Sequence, residues 1–366
     1  MKRNLFLMCL VTILFTTSSA QSNRLRIGVA GLTHTHVHWI LGRADRGDIE
    51  IVGIAEPNEN LAKRYLQQHH LPMSLWYRSL EEMLDKTKPE AVTAFGTIFE
   101  HLGVVKACAP RGIHVMVEKP LAINLDHAQQ MQALANQYHI QLLTNYETTW
   151  YNTNHIVKAM AAKNELGPLR KIVVHDGHSG PKEIGVNKEF LDWLTDPKQN
   201  GGGAIIDFGC YGANLITWMT DGKRPLSVFA VTQQFKPDIY PNVDDEATIV
   251  LEYPGMQGII QASWNWPFSR KDMEVYGATG YALSDNRSTL RIRLKSEDKE
   301  HTETFADRSA PFDDPFALLA AVVQKKITLT PYDLSSLDNN MIVMEILEAA
   351  VQSAKTGKRI YLPQKK

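Results

Sequence analysis

Four short stretches hold the residue types and spacings that could do chemistry. The first is GVAGLTHTHVHWI, residues 28–40, where His34, His36 and His38 alternate with other residues as an apolar run ends. A strand-ending H-x-H suits a divalent metal, because neutral imidazole is a good ligand for such ions. The same place is where a dinucleotide-binding unit turns from its first strand into a helix and offers backbone N–H groups to a pyrophosphate. On the G-x-G-x-x-G spacing the three positions are Gly31, Thr33 and His36, so only the first glycine is kept. We favour the dinucleotide turn. The barrel that begins with H-x-H needs strand–helix repetition to the C-terminus, and this chain abandons that repetition. If a helix has started by His36, residues two apart point to nearly opposite sides, so no metal is expected. Gly31, Thr33 and His34 are read as ligand contacts.

The second stretch, IEIVGIAEP, ends in Glu56, about 20 residues beyond the turn. A carboxylate there can accept both ribose hydroxyls and repel a 2′-phosphate, which favours NAD over NADP. The third, HVMVEKPLA, is a buried strand ending at Glu118, Lys119 and Pro120. Proline forces a sharp exit there, possible through a cis peptide, and the carboxyl edge of a parallel sheet is where such folds bind ligands. These three residues are read as cofactor contacts. The fourth, GGGAIIDFGCYGANL, has a glycine-rich entry that lets backbone pass close to something. Asp207 and Tyr211 lie four apart on one helix face, which is poor core material and is expected to line a cleft.

The elements that must position these residues follow from hydrophobic periodicity. From Arg24 to about Asn145, short apolar runs alternate with helical patterns, which means a parallel sheet covered on both faces. After a helix over TNHIVKAMAAKNELG, the runs from Leu226 to about Phe305 follow one another directly, separated by turn signals such as Pro254-Gly255. Consecutive strands without helices indicate a mostly antiparallel sheet. The expected class is α/β: a doubly wound dinucleotide-binding domain over 23–145, then an α+β domain over 146–366.

Composition narrows the partners. The chain has 366 residues, 44% hydrophobic and 22% charged, with net charge -1. Length favours two domains, and the charge balance gives no reason to expect nucleic acid or an anionic membrane surface. Lys2-Arg3, an apolar run to Phe15 and Ser18-Ser19-Ala20 form the pattern of a secretory signal over 1–20, too short to span a membrane. The expected location is the periplasm of a Gram-negative bacterium, or outside the cell otherwise. Cys108 and Cys210 then remain, too few for a disulfide scaffold, and are expected to be free and buried.

Together the strand-turn-helix start, AEPNENLAKRY, EHLGVVKACAPRGIHVMVEKPLA and GGGAIIDFGCYGANLITW resemble the glucose–fructose oxidoreductase/inositol dehydrogenase (Gfo/Idh/MocA) family. The resemblance covers nearly the whole chain after the leader. It implies a Rossmann domain with NAD, a second domain whose open sheet forms a homo-oligomer face, and Lys119, Asp207 and Tyr211 as the reactive set. Many members carry histidine where Tyr211 stands; tyrosine is similar to the glucose–fructose oxidoreductase and dihydrodiol dehydrogenase branch. In that reading Tyr211 is the acid–base, the Lys119 ammonium lowers its pKa, and Asp207 orients the lysine. The stretch NYETTWYNTN lacks an arginine common in the family; Trp150 and Tyr151 there offer faces for a sugar ring, and His178 is a further substrate contact.

The implied activity is hydride transfer between a tightly held nicotinamide cofactor and a sugar, polyol or glycoside hydroxyl. Two alternatives stand beside it. One is an NAD-dependent glycoside hydrolase or lyase that oxidises transiently near C3; the other is a non-catalytic ligand-binding protein on the same fold.

Overall fold

The computed structural model describes residues 24–364, and the leader expected at 1–20 lies outside them. The N-terminal sheet is built from β1 (Leu25–Ala30), β2 (Ile49–Ala55), β3 (Trp76–Tyr77), β4 (Ala91–Ala94), β5 (His114–Glu118) and β6 (Leu142–Asn145). All are parallel, in the order β3-β2-β1-β4-β5-β6. The order reverses between β1 and β4, and ligands of such sheets bind at that switch point, outside the carboxyl ends of the strands. The central strands are apolar on both faces because helices cover both, which is why they read as continuous hydrophobic runs.

Nine strands form the second sheet. They are β7 (Leu169–Gly177), β8 (Ser227–Gln233), β9 (Glu246–Tyr253), β10 (Met256–Ser263), β11 (Arg270–Gly277), β12 (Gly280–Ser284), β13 (Thr289–Leu294), β14 (His301–Thr304) and β15 (Ile360–Tyr361). Their order is β14-β13-β12-β11-β7-β10-β9-β8-β15. Strand β7 enters the middle of the sheet, parallel to β10 and antiparallel to β11. Every residue of helix Gly209–Met219 is buried beneath this sheet, and helix Leu337–Thr356 packs beside it.

The division at residue 146 is crossed by the chain. Helix Pro315–Val323 returns from the C-terminal part to the N-terminal sheet, where Phe316, Leu318 and Leu319 share a core with Ile27, Val29 and Trp150. Arg43 holds Asp314 at 2.8 Å and Arg46 holds Asp313 at 2.6 Å across the same seam. Two local features also differ from the sequence expectation. The polar loop after β7 contains helix Lys188–Leu194, and the glycine-rich helix breaks at Phe208 into Ala204–Asp207 and Gly209–Met219. Cys108 and Cys210 are both buried and free. No helix among the described residues is long and apolar enough to cross a membrane.

Gly31 ends β1 with φ +80°, a left-handed conformation. A Cβ there would stand 2.6 Å from the backbone N of Gly96, so the turns after β1 and β4 touch through two glycines. Gly31→Ala is expected to lower unfolding free energy by about 2–4 kcal/mol, from left-handed strain plus overpacking. Urea unfolding followed by circular dichroism checks this; an unchanged midpoint would contradict the close approach.

Candidate active site

Two backbones meet at the carboxyl edge of the N-terminal sheet. Strand β5 delivers Glu118 and Lys119, the Lys119–Pro120 peptide is cis, and the lysine side chain reaches Asp207 of the second domain. There Asp207 is presented by a short helix whose entry depends on glycine. Gly203 N–H and Ile205 N–H donate to the Asp244 carboxylate at 3.0 and 2.8 Å, capping the helix. A Cβ on Gly203 would lie 1.7 Å from the Asp244 carbonyl oxygen, so no other residue fits without moving Asp207.

The Lys119 ammonium donates to the Asp207 carboxylate and, at 3.1 Å, to its backbone carbonyl. The other carboxylate oxygen accepts from the Trp264 indole at 3.0 Å. Both residues are about 95% buried. Burial alone would push the Asp207 carboxyl up, but the adjacent ammonium outweighs it and holds the group below the usual carboxylate range. Burial likewise opposes the Lys119 charge, and Asp207 outweighs it, so the lysine stays protonated.

Tyr211 lies at the bottom of this site, 1% exposed. Its ring has the Lys119 ammonium 5.3 Å from its centroid and a second ammonium, Lys271, at 4.7 Å. Sequence reasoning missed Lys271, which arrives on β11 and pairs with Glu147. Directly across from Lys271 in the β7–β11 register is Asp176, also missed. Asp176 is 1% exposed and neither carboxylate oxygen has a hydrogen-bond partner among the described residues. Burial, with Glu147 and Asp207 nearby, pushes its pKa well above the ordinary value, so it is held neutral. The only signal for either residue was its place on a strand face, which alternation alone cannot assign to chemistry.

The pKa expected for Tyr211 is corrected by this arrangement. Burial raises it well above 10, and the Glu147 carboxylate raises it further. Lys119 is already paired with Asp207, and burial prevails over its charge. The resting phenol is therefore protonated.

The histidines behave differently from expectation too. The helix starts only at Val37, so His34 and His36 face the same side, with ring centroids 4.6 Å apart. With Glu118 they form a cluster of metal-ligand spacing. His36 Nδ1 meets a Glu118 oxygen at 2.9 Å, and His34 Nε2 lies 3.9 Å from it. His34 Nδ1 accepts the His36 backbone N–H at 3.1 Å, which places the imidazole proton on Nε2. A protonated Nε2 is a donor and repels a cation. Burial first, then His36 and Lys119, keeps His34 neutral by lowering its pKa well below 6.5. His38 is outside this group and pairs with His69 at 2.8 Å.

Glu56 turns inward. Its oxygens accept Leu32 N–H and Asn58 N–H, each at 2.9 Å, so it braces the turn in place of the ribose contact expected of it. Trp150 is 4% exposed and packs in the N-terminal core, so it offers no face to a sugar. Its indole donates to Asn145 at 3.2 Å, and Asn145 donates to Glu118 at 2.8 Å. Tyr151 donates to Glu147 at 2.9 Å and orients the partner of Lys271. His178 does line the reaction cavity, with its ring edge-on to Phe208 at 4.9 Å, and burial lowers its pKa to about 4.

Two cavities flank the edge of the sheet. A cleft of about 630 Å³ runs over the ends of β1, β2 and β4, from Pro57 and Arg78 past Gly31 and Gly96 to His101. It lies where sheets of this topology bind dinucleotides. His101, unremarked in the sequence, is fully buried, with Nδ1 on the Leu121 carbonyl at 3.1 Å and Nε2 without a hydrogen-bond partner among the described residues. The second cavity, about 170 Å³, is lined by the polar Lys119, Asp207, Tyr211, Lys271 and His178 and by the apolar Pro181, Ile184, Val186, Phe190 and Leu194. The residues lining these two cavities would hold NAD, Gly31, Gly96 and Arg78 in the cleft and Lys119 in the second cavity, and the cofactor would supply a hydride acceptor there.

Comparison with known proteins agrees with this geometry. Residues 25–146 match the model for the oxidoreductase family, NAD-binding Rossmann fold (GFO/IDH/MocA), and residues 155–283 match the GFO/IDH/MocA C-terminal domain. A trans-1,2-dihydrobenzene-1,2-diol dehydrogenase of Sus scrofa is 27% identical over 282 residues, 75% of this chain and 79% of that protein. Among solved structures, an inositol dehydrogenase homologue from Azotobacter vinelandii complexed with NAD+ aligns with TM-score 0.78 at 17% identity, covering 93% of this chain and 97% of that one. An aldose–aldose oxidoreductase from Caulobacter crescentus complexed with glycerol aligns with TM-score 0.74 at 20% identity, covering 93% and 100%.

The buried carboxyls respond oppositely to substitution. Asp207→Asn leaves Lys119 buried without its counter-charge and is expected to cost about 3–5 kcal/mol at neutral pH. Asp176 is neutral when folded, whereas in the unfolded chain it ionises above about pH 4. Its burial therefore costs stability increasingly as pH rises above that value. Asp176→Asn should raise the melting temperature relative to wild type more at pH 8 than at pH 4. A difference independent of pH, read by calorimetry, would show that Asp176 is already charged when folded.

Proposed function

The chain belongs to the GFO/IDH/MocA family of NAD-dependent oxidoreductases, and from that premise we propose that it acts on a hydroxyl of an uncharged sugar, polyol or glycoside. The observation that carries this reading is the mixed polar and apolar lining of the reaction cavity. Each of its ammonium groups already has a carboxylate, Lys119 with Asp207 and Lys271 with Glu147, and Asp176 is neutral. Such a floor offers hydrogen bonds rather than a free counter-charge. The apolar part of the lining suits the C–H face of a ring.

Bound NAD supplies the hydride acceptor for the carbinol carbon. The protein's part is the proton. Tyr211 is a neutral phenol, ready to donate to a carbonyl oxygen in the reducing direction. In the oxidising direction Tyr211 first releases its own proton to solvent and then takes the hydroxyl proton as phenolate, a form that the ammoniums of Lys119 and Lys271, 5.3 and 4.7 Å from the ring centroid, stabilise. Asp207 fixes Lys119, and His178 contacts the substrate.

The glycoside-cleaving alternative would use the same site: the transient ketone acidifies the neighbouring C–H, a base removes that proton, and an acid protonates the departing glycosidic oxygen. Identification of the products from a glycoside, intact ketone or released aglycone, separates the two.

We also propose export, on the pattern of residues 1–20, and a homo-oligomer through the outer face of the second sheet. Phe229, Val250, Ile259 and Val173 form a cross-strand row there over β8, β9, β10 and β7, and Phe229 is 37% exposed. Such an apolar row suits a second copy.

Tyr211→Phe is expected to retain NAD and lower turnover roughly 100- to 10,000-fold, the usual worth of a positioned acid–base group. Steady-state rates with NAD content measured in parallel test this. Unchanged turnover with full NAD occupancy would remove Tyr211 from the mechanism.

A further inference from the structure

The phosphate turn that lost two glycines has also used most of its backbone donors internally. Leu32 N–H donates to Glu56 at 2.9 Å, His34 N–H to the Phe95 carbonyl at 2.8 Å, and His36 N–H to His34 Nδ1 at 3.1 Å. Among the described residues only the Thr33 and Thr35 N–H groups of the turn stay without a partner, and side-chain donors stand beside them. His34 Nε2–H and the hydroxyls of Thr33 and Thr35 are buried with no partner among the described residues. One more comes from the other domain. The Trp193 indole N–H has no hydrogen-bond partner among the described residues, its residue is 6% exposed, and its ring lies 5.8 Å from that of His34. Buried N–H groups are seldom left without an acceptor.

Trp193 sits on helix Lys188–Leu194, in the segment that leaves β7 and crosses to the N-terminal domain. That segment is fastened on the far side. Glu189 pairs with Arg64 at 2.9 Å, the Asn187 amide donates to the Tyr65 hydroxyl, and Phe190 packs edge-on to His34 at 4.8 Å. Arg64 and Tyr65 belong to helix Glu59–Gln68, which follows β2 in the dinucleotide-binding unit. The same segment supplies the apolar wall of the reaction cavity.

We propose that residues 181–194 form a strap closed over the dinucleotide, and that Trp193 and His34 donate to it from side chains where a glycine turn would donate from backbone. The inference rests on the nicotinamide reading above and adds to it a consequence: the strap must open before the cofactor can leave, so release is slow. It also answers how a turn with one glycine holds NAD.

The test is the release rate of NADH from the full chain, followed by loss of bound-NADH fluorescence during a chase with excess NAD. Trp193→Phe keeps the ring and removes the N–H, and should speed release roughly 10-fold or more, the worth of one hydrogen bond to a charged group. Glu189→Lys, facing Arg64 on the surface, should speed it roughly two- to fivefold, and the swap Arg64→Glu with Glu189→Lys should restore it. The swap series decides the matter if Trp193→Phe fails to fold. Release rates in Trp193→Phe and Glu189→Lys within experimental error of wild type would overturn the strap. A wild type that releases NADH within seconds, with variants faster still, would keep the strap and reject a tightly held cofactor. A wild type that binds no NADH would overturn both.

Discussion

The ion pair between Lys119 and Asp207 is the interaction on which the rest of the site depends. Removing two charges from water costs several kcal/mol per ion, and their attraction offsets that only when geometry and the remaining hydrogen bonds are satisfied. Here they are. The Asp207 carbonyl takes a second lysine proton at 3.1 Å, and the Trp264 indole takes the second carboxylate oxygen at 3.0 Å. Because one partner stands at the end of β5 and the other on the first helical turn after Gly203, the pair pins two domains at one point. The cleft for the cofactor and the cavity for the substrate meet where it lies.

Around this pair, charge is distributed so that little is left uncompensated. Lys271 and Glu147 form a second pair, Tyr151 holds Glu147, and Asp176 stays protonated between them. Tyr211 is thus embedded in a low-dielectric pocket with two ammoniums beside its ring and acids behind it. Its high proton affinity is a result of that burial, and the ammoniums act on the phenolate formed during reaction rather than on the resting phenol. A second network, Trp150 to Asn145 to Glu118 to His36, stiffens the turn after β1 from behind. The side chains that replace glycine in that turn are therefore held in place, and His34 presents a defined N–H.

Much of this was legible in sequence. Strand–helix alternation and then consecutive strands gave both sheets, because burial on two faces and on one face leave different apolar patterns. EKP and the GGG…D…Y spacing located Lys119, Asp207 and Tyr211, since sharp exits and close backbone approaches demand proline and glycine. What was not legible depends on long-range register. Lys271 and Asp176 become neighbours only through the β7–β11 pairing, about 95 residues apart in the chain. Trp150 looked like a ligand face because an aromatic beside a polar run can be either core or site, and the core under helix Pro315–Val323 decided it. Glu56 was placed correctly at the strand end, but the turn's unpaired N–H groups claimed it first. The opposed directions expected of His34 and His36 assume a helix already begun at His36, whereas it begins at Val37.

The most direct measurement of the central claim is a single turnover. NAD-loaded protein, freed of excess cofactor, is mixed with a panel of neutral sugars, polyols and glycosides while the near-ultraviolet absorbance of reduced nicotinamide is followed. The account predicts absorbance up to one equivalent per bound NAD with at least one member of the panel, appearing more slowly when the oxidised carbon carries deuterium. A fully loaded protein that shows no reduced nicotinamide with any of them would contradict it.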